Sequence, residues 1–206
     1  MERLERKERE FNMRRAYILA QAEKIFSVKS YHNVTMAEIA SASGFSTGSL
    51  YQFFEGKENL YTSMITEKLD LMYTEIMKAT ERTENVTEKI EMLVDSQLQF
   101  MEKNADFCRS LFKGENAALT EAMTALRKKL IEDYLSYVRF IENLLKEGIE
   151  KGVLRNMPAH DMAQSLVYLI RAISMEWILL LRNESPSAKK GFILDIFFHG
   201  VKNHGR

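Results

Sequence analysis

Residues 35–61 read "TMAEIASASGFSTGSLYQFFEGKENLY", a polar, glycine-punctuated stretch in a chain otherwise dominated by long apolar periodicities. Thr35-x-x-Glu38 has the spacing of a capping box, in which the threonine hydroxyl accepts from a backbone N–H while the glutamate reaches back. Met36, Ile39 and Ala40 form the inward face of the helix that follows. Gly44 falls where a helix ends in the left-handed conformation that glycine tolerates, and Ser46 stands ready to cap the next helix. A helix, a glycine turn and a second helix within about twenty residues is the outline of a helix-turn-helix.

The second helix has a readable outer face. Leu50 and Phe54, four apart, point inward. Gly48 and Gln52 point the opposite way, Ser49, Tyr51 and Phe53 lie on the flanks, and no carboxylate appears before Glu55. Such a face suits duplex DNA: Gln52 can pair with both polar atoms of an adenine edge, Gly48 permits close approach, and hydroxyls reach bases or phosphates. Lys57, at the start of the following helix, would hold a phosphate together with the N-terminal amides. Ser49 or Gln52 alone would also pass for solvated helix surface; the set at this spacing points to DNA.

Outward from this stretch the chain is helical. Ile18, Ala22, Ile25 and Phe26 mark a first helix from about Asn12 to Lys29. Leu60, Met64, Leu69, Met72 and Ile76 mark a fourth, from about Lys57 to Thr80, roughly 35 Å long and able to connect two domains. A fifth begins near Val86, with Ile90, Leu93, Val94, Gln97 and Met101 in register. After a short segment at about 105–112 comes the longest helix, about 118–151, with Gly152 as its stop. Pro158 and Pro186 open the last two, about 158–182 and 186–203. The expected fold is all-α: a three-helix helix-turn-helix head at residues 1–56 and a larger ligand-binding and dimerisation body at 57–206.

Residues 165–181, "SLVYLIRAISMEWILLL", are apolar nearly all round, and "GFILDIFFHGV" follows at 191–201. A helix apolar on several faces must bury several faces. Either the two form a buried core pair, or a second copy covers them in a four-helix bundle; the expectation is a homodimer through residues 158–203.

The run Arg15, Ile18-Leu19, Ala22, Ile25-Phe26, Thr35, Ile39-Ala40, Gly44-Phe45-Ser46, Gly48-Ser49-Leu50-Tyr51, Phe54, Lys57-Glu58 and Leu60 resembles the TetR family of bacterial transcriptional regulators, closely over about residues 14–61. The resemblance implies a DNA-binding head, a helical ligand-binding body, a homodimer held by the last two long helices, and ligand-controlled release of a palindromic operator. By matching positions, Thr47, Ser49 and Gln52 would touch bases, Thr35, Tyr51 and Lys57 would hold phosphates, and Phe53 would add apolar contact. Ser30 occupies the family's usual glycine position after the first helix, a cost of up to about 1 kcal/mol if the backbone there is left-handed.

Charge adds little, since 29 basic and 29 acidic residues cancel and any nucleic-acid role must rest on a local patch. The N-terminal run sets Arg3, Arg6, Lys7, Arg9, Arg14 and Arg15 against Glu2, Glu5, Glu8 and Glu10. It is either a helical extension laced with i, i+4 pairs or an arm that tracks phosphates or the minor groove. With 46% hydrophobic and 28% charged residues the chain reads as globular. It shows no signal-peptide core and no apolar run expected to span a membrane, so the cytoplasm is the expected compartment. The single cysteine, Cys108, excludes an intrachain disulfide and reads as a buried thiol.

Twelve methionines, twelve phenylalanines and eight tyrosines suit a pocket for a small apolar or amphipathic effector, although stripes at helical spacing are more often ordinary core. Gln97, Met101 and Phe107 are candidate ligand contacts. Tyr134, Tyr137 and Tyr168 are others. Arg171 either orients a ligand or pairs with Glu176 of the partner subunit. The four histidines are scattered, and neither a phosphate loop nor a nucleophile elbow appears, so no metal, cofactor or enzymatic activity is expected. The rivals are a ligand-independent architectural or recruiting protein with the same head, and a helical enzyme or carrier whose helix-turn-helix is incidental.

Overall fold

The computed structural model describes residues 2–114, 120–180 and 184–201, and no β-strand forms among them. Two compact units emerge: Met1–Lys68 with Asp106–Lys128, and Leu69–Ala105 with Lys129–Arg206.

In the first unit, α1 runs from Glu2 to Val28, so the helix begins well before Asn12. The charged N-terminal run is therefore helix, and Arg14 pairs with Glu10 one turn away at 2.5 Å. Ser30 has φ −66° and ψ 153°, an extended conformation open to any residue, so the serine carries no strain. A 3₁₀ turn, Tyr31–Asn33, leads to α2 (Met36–Ser43). Thr35 caps α2 by accepting from the Glu38 N–H at 3.2 Å. The Glu38 carboxylate does not close the expected box; it pairs with Lys29 Nζ at 2.5 Å. Gly44 ends α2 at φ 72°, and Ser46 caps α3 (Thr47–Leu50) through the Ser49 N–H. After that single turn the chain tightens into i→i+3 bonds, with Gln52 N–H on Ser49 O and Phe53 N–H on Leu50 O. Ile18, Phe26, Ile39, Leu50, Phe54 and Leu60 are buried in the core of this unit.

α4 (Lys57–Thr80) begins in the first unit and ends in the second. Asn85 caps α5 (Val86–Lys103) by accepting from Thr87 and Glu88. α6 (Ala105–Gly114) belongs almost wholly to the first unit, and α7 (Glu121–Glu150) passes from the first to the second. Gly152 turns the chain at φ 70°. α8 (Ala159–Leu180) and, after a 3₁₀ turn at Pro186–Lys189, α9 (Lys190–Val201) pack on α5 and on each other. The expected helix limits at 118, 182 and 203 lie outside the described residues.

One expectation needs correction. α8 is, by length and composition, long and apolar enough to cross a membrane, with mean hydropathy 1.3 over its most apolar window. What distinguishes it is packing: Leu166, Val167, Ile170 and Ile178 are buried, and Ser174 back-bonds to the Ile170 carbonyl at 2.8 Å.

Candidate nucleic-acid interface

Two caps and a glycine turn set the geometry of the head. Because Ser46 and Gly44 fix where α3 starts, Leu50 points into the core and Gly48, Tyr51 and Gln52 face solvent. Gly48 has open space on its outer side, where the nearest atom to an added Cβ would be Ser46 Oγ at 4.0 Å. Thr47 and Ser49 are half-buried. The Ser49 hydroxyl lies 2.8 Å from Ser46 Oγ, so it shares in the cap and is less free for a base than the sequence suggests. Thr35 is exposed, and while its oxygen accepts from Glu38 its hydroxyl proton stays available to a phosphate.

Phe53 was expected as an apolar DNA contact. It is half-buried, its ring stacked on Phe11 at 4.7 Å and edge-on to Phe45 at 6.0 Å, so it anchors α1 against the recognition segment. Lys57 also departs from expectation. Its ammonium donates to the carbonyls of Tyr31 and Val34, both at 2.9 Å, and lies 4.4 Å over the Tyr31 ring. Burial pushes its pKa down. The head is tied further by ion pairs between α1 and α4. Arg15 forks onto Glu67 at 2.7 and 2.6 Å, with its guanidinium 5.0 Å over the Phe54 ring. Glu23 meets Lys68 at 2.9 Å, and burial raises the Glu23 carboxyl against the opposing pull of that lysine.

The expected ligand contacts do not converge on one described site. Phe107 is buried in the first unit, the other six belong to the second. Gln97 and Tyr137 satisfy each other, the phenol donating to Gln97 Oε1 at 2.6 Å, with the Tyr73 ring 5.2 Å away. Burial, and then the neighbouring Tyr73, raise the Tyr137 phenol far above its ordinary value. Met101 is half-buried. The Tyr134 hydroxyl is enclosed and has no hydrogen-bond partner among the described residues. Its pKa is raised by burial first and by the nearby Tyr168 hydroxyl second, with Arg171 opposing. Tyr168 and Arg171 are exposed on α8. Elsewhere in the second unit, an open groove of about 640 Å³ is lined by Lys78, Arg82, Met92, Phe100 and Lys103 among others. Among the described residues no cluster of His, Cys, Asp and Glu is arranged to hold a metal.

Comparison with known proteins turns this geometry into an assignment. The profile described as "Bacterial regulatory proteins, tetR family" matches residues 18–64, and "YsiA-like protein, C-terminal region" matches 65–181, more than half of the chain. The chain belongs to the TetR family. Members are DNA-binding transcriptional regulators rather than enzymes. Among relatives, the "Fatty acid metabolism regulator protein" of Bacillus subtilis (strain 168) is 19% identical, over 90% of this chain and 94% of its own length. The solved structure of FadR from Bacillus subtilis in complex with stearoyl-CoA has a TM-score of 0.77 at 18% identity, over 90% of this chain and 98% of its own. A transcriptional regulator from Saccharomonospora viridis in complex with choline has a TM-score of 0.78 at 20% identity, over 92% and 98%. At these identities the two structures establish the shared fold.

In this TetR-family chain, sequence reasoning missed two residues that shape the head. Phe11 sits in a run of alternating charges, and its one signal was being the only aromatic there. Tyr31 follows the first helix in a segment with no periodicity, yet its ring joins Phe26 at 6.1 Å and Tyr61 at 5.0 Å. Burial pushes the Tyr61 phenol to about 12.

Proposed function

We propose that this protein is a cytoplasmic, dimeric repressor that binds a palindromic operator and releases it when a small apolar or amphipathic effector binds. The observation that carries the reading is the exposed Gly48–Tyr51–Gln52 face, free of carboxylate and held by two caps. Gln52 reads a base, Thr47 and Ser49 assist from the flanks, and Thr35 and Tyr51 hold phosphates. Residues 1–56 do the DNA work, while 57–206 take the effector and the second copy, although the compact units divide inside α4. The dimer forms through about 158–203, where Tyr168, Leu179, Leu180, Phe192 and Ile196 are exposed.

The effector is a long-chain acyl compound, a reading supported by the fatty-acid regulator and the stearoyl-CoA complex among similar proteins. Effector binding shifts α4, whose residues enter both units, and so changes the separation of two recognition segments that must meet half-sites about 34–36 Å apart. A ligand-independent architectural role is the second reading. It is favoured by Gln97 and Tyr137 satisfying each other rather than a guest.

The test is a titration of the wild type and Gln52→Ala against a duplex the wild type selects from a randomised pool, and against a scrambled duplex. Wild type should prefer the selected duplex by about a thousandfold or more, and Gln52→Ala should lose about 1–3 kcal/mol at one base pair only. Equal losses on both duplexes would remove Gln52 as a base reader. Stearoyl-CoA should release the selected duplex; unchanged binding in its presence favours the architectural reading.

A further inference from the structure

We infer that Lys57 is an internal strut that fixes the cap of α2 to the start of α4, and that its charge is not a phosphate contact; the consequence for DNA rests on the proposed operator binding, the strut itself does not. An ammonium has three protons. Two are donated at 2.9 Å to the Tyr31 and Val34 carbonyls, which bracket the 3₁₀ turn, and the charge sits 4.4 Å over the Tyr31 ring. Charge-assisted bonds to two carbonyls are strong ones. A phosphate would have to draw the ammonium off both carbonyls or be met by one remaining proton.

The position gives the strut its purpose. Val34 is buried, and the next residue is Thr35, whose hydroxyl caps α2. Whatever holds the Tyr31–Val34 carbonyls therefore sets where α2 begins, and with it the turn and the Gly48–Gln52 face. The same turn is gripped a second time from α4. The Tyr61 ring lies 5.0 Å from Tyr31 and 4.9 Å from Phe26, and its hydroxyl is 3.5 Å from the Ser110 carbonyl on α6. The first turns of α4 thus hold the entry to α2 by an ammonium and by rings. A tilt of α4 pulls on the cap through Lys57.

Lys57→Met keeps the apolar stem and removes the donor. Two measurements on the full chain decide: amide hydrogen exchange over residues 31–38, and binding to the selected duplex across salt concentrations. The strut predicts exchange at least tenfold faster over 31–38 and tenfold or more weaker binding, with the slope of log K against log salt unchanged. Unchanged protection together with a slope smaller by about 0.9 would make Lys57 a phosphate ligand and overturn the inference. A pool that yields no preferred duplex would count against operator binding alone, and exchange over 31–38 would still decide the strut. If Lys57→Met does not fold, Lys57→Gln, shorter and neutral, is read the same way. Wild-type protection there overturns the strut.

Discussion

Gly148 occupies the last turns of α7, where a Cβ would stand 2.7 and 2.9 Å from the Leu154 side chain and 2.9 Å from that of Val86. The crowding follows from the turn at Gly152, which folds the chain back so that the Val153 and Leu154 N–H groups donate to the Gly148 carbonyl at 3.0 and 3.1 Å. Leu154 is buried by this fold-back. Gly148→Ala should therefore destabilise by about 1–3 kcal/mol through overpacking, despite alanine's better helix propensity, seen as a lower thermal midpoint by circular dichroism. Gly152 was legible in the sequence, because a glycine after an apolar-periodic run has a local conformational reason. Gly148 was not, since a helix-interior glycine carries no sign of which distant side chain crosses it. Gln97 stood out as a polar residue in an apolar register, but its partner Tyr137 is 40 positions away. The same holds for Lys57, whose acceptors lie 26 and 23 positions back. Local caps could be read from neighbours; pairings across the fold could not.

Among elements, α1 departs most from what periodicity suggests. Its apolar face begins at Ile18, so the pattern places the start near Asn12, yet the helix extends to Glu2. Charged residues with i, i+4 pairing sustain a helix without an apolar face, and only a tertiary contact explains its placement. Phe11 supplies that contact by stacking on Phe53. Phe11→Ala should cost about 0.5–1.5 kcal/mol beyond lost burial. It should also speed amide exchange over 51–54, measured by mass spectrometry, while leaving 36–43 near wild type. Uniformly faster exchange across the head would mean the stack holds the whole unit rather than one segment. α3 departs in the other direction, ending after one turn. Phe53 and Phe54 are adjacent but serve different partners, the first the Phe11 ring and the second the core, and the tightened bonds after Ser49 accommodate both.

At the scale of the molecule, the all-α class and the helix-turn-helix were legible because each cap and stop has a local signature. The division of the chain was not. The compact units part inside α4 and assign Asp106–Lys128 to the same unit as the head, a grouping made by contacts that no local pattern announces. The apolar α8–α9 surface carries the proposed dimer. Phe192, 57% exposed in the single chain, lies on it. Phe192→Glu would place a carboxylate in that interface and should weaken dimerisation roughly a hundredfold, about 3 kcal/mol. Sedimentation velocity should then find the 24.0 kDa chain alone, with the helical spectrum unchanged. A variant that stays dimeric would move the interface elsewhere. Cys108 carries a practical consequence. It is buried, with its thiol pushed up to about 12 chiefly by desolvation, so at neutral pH roughly one molecule in a hundred thousand carries the reactive thiolate. A cysteine installed at exposed Ala37 on α2 would thus take a spin label ahead of the native thiol. In a dimer, two such labels become a ruler between the heads, reading their spacing with and without an acyl ligand.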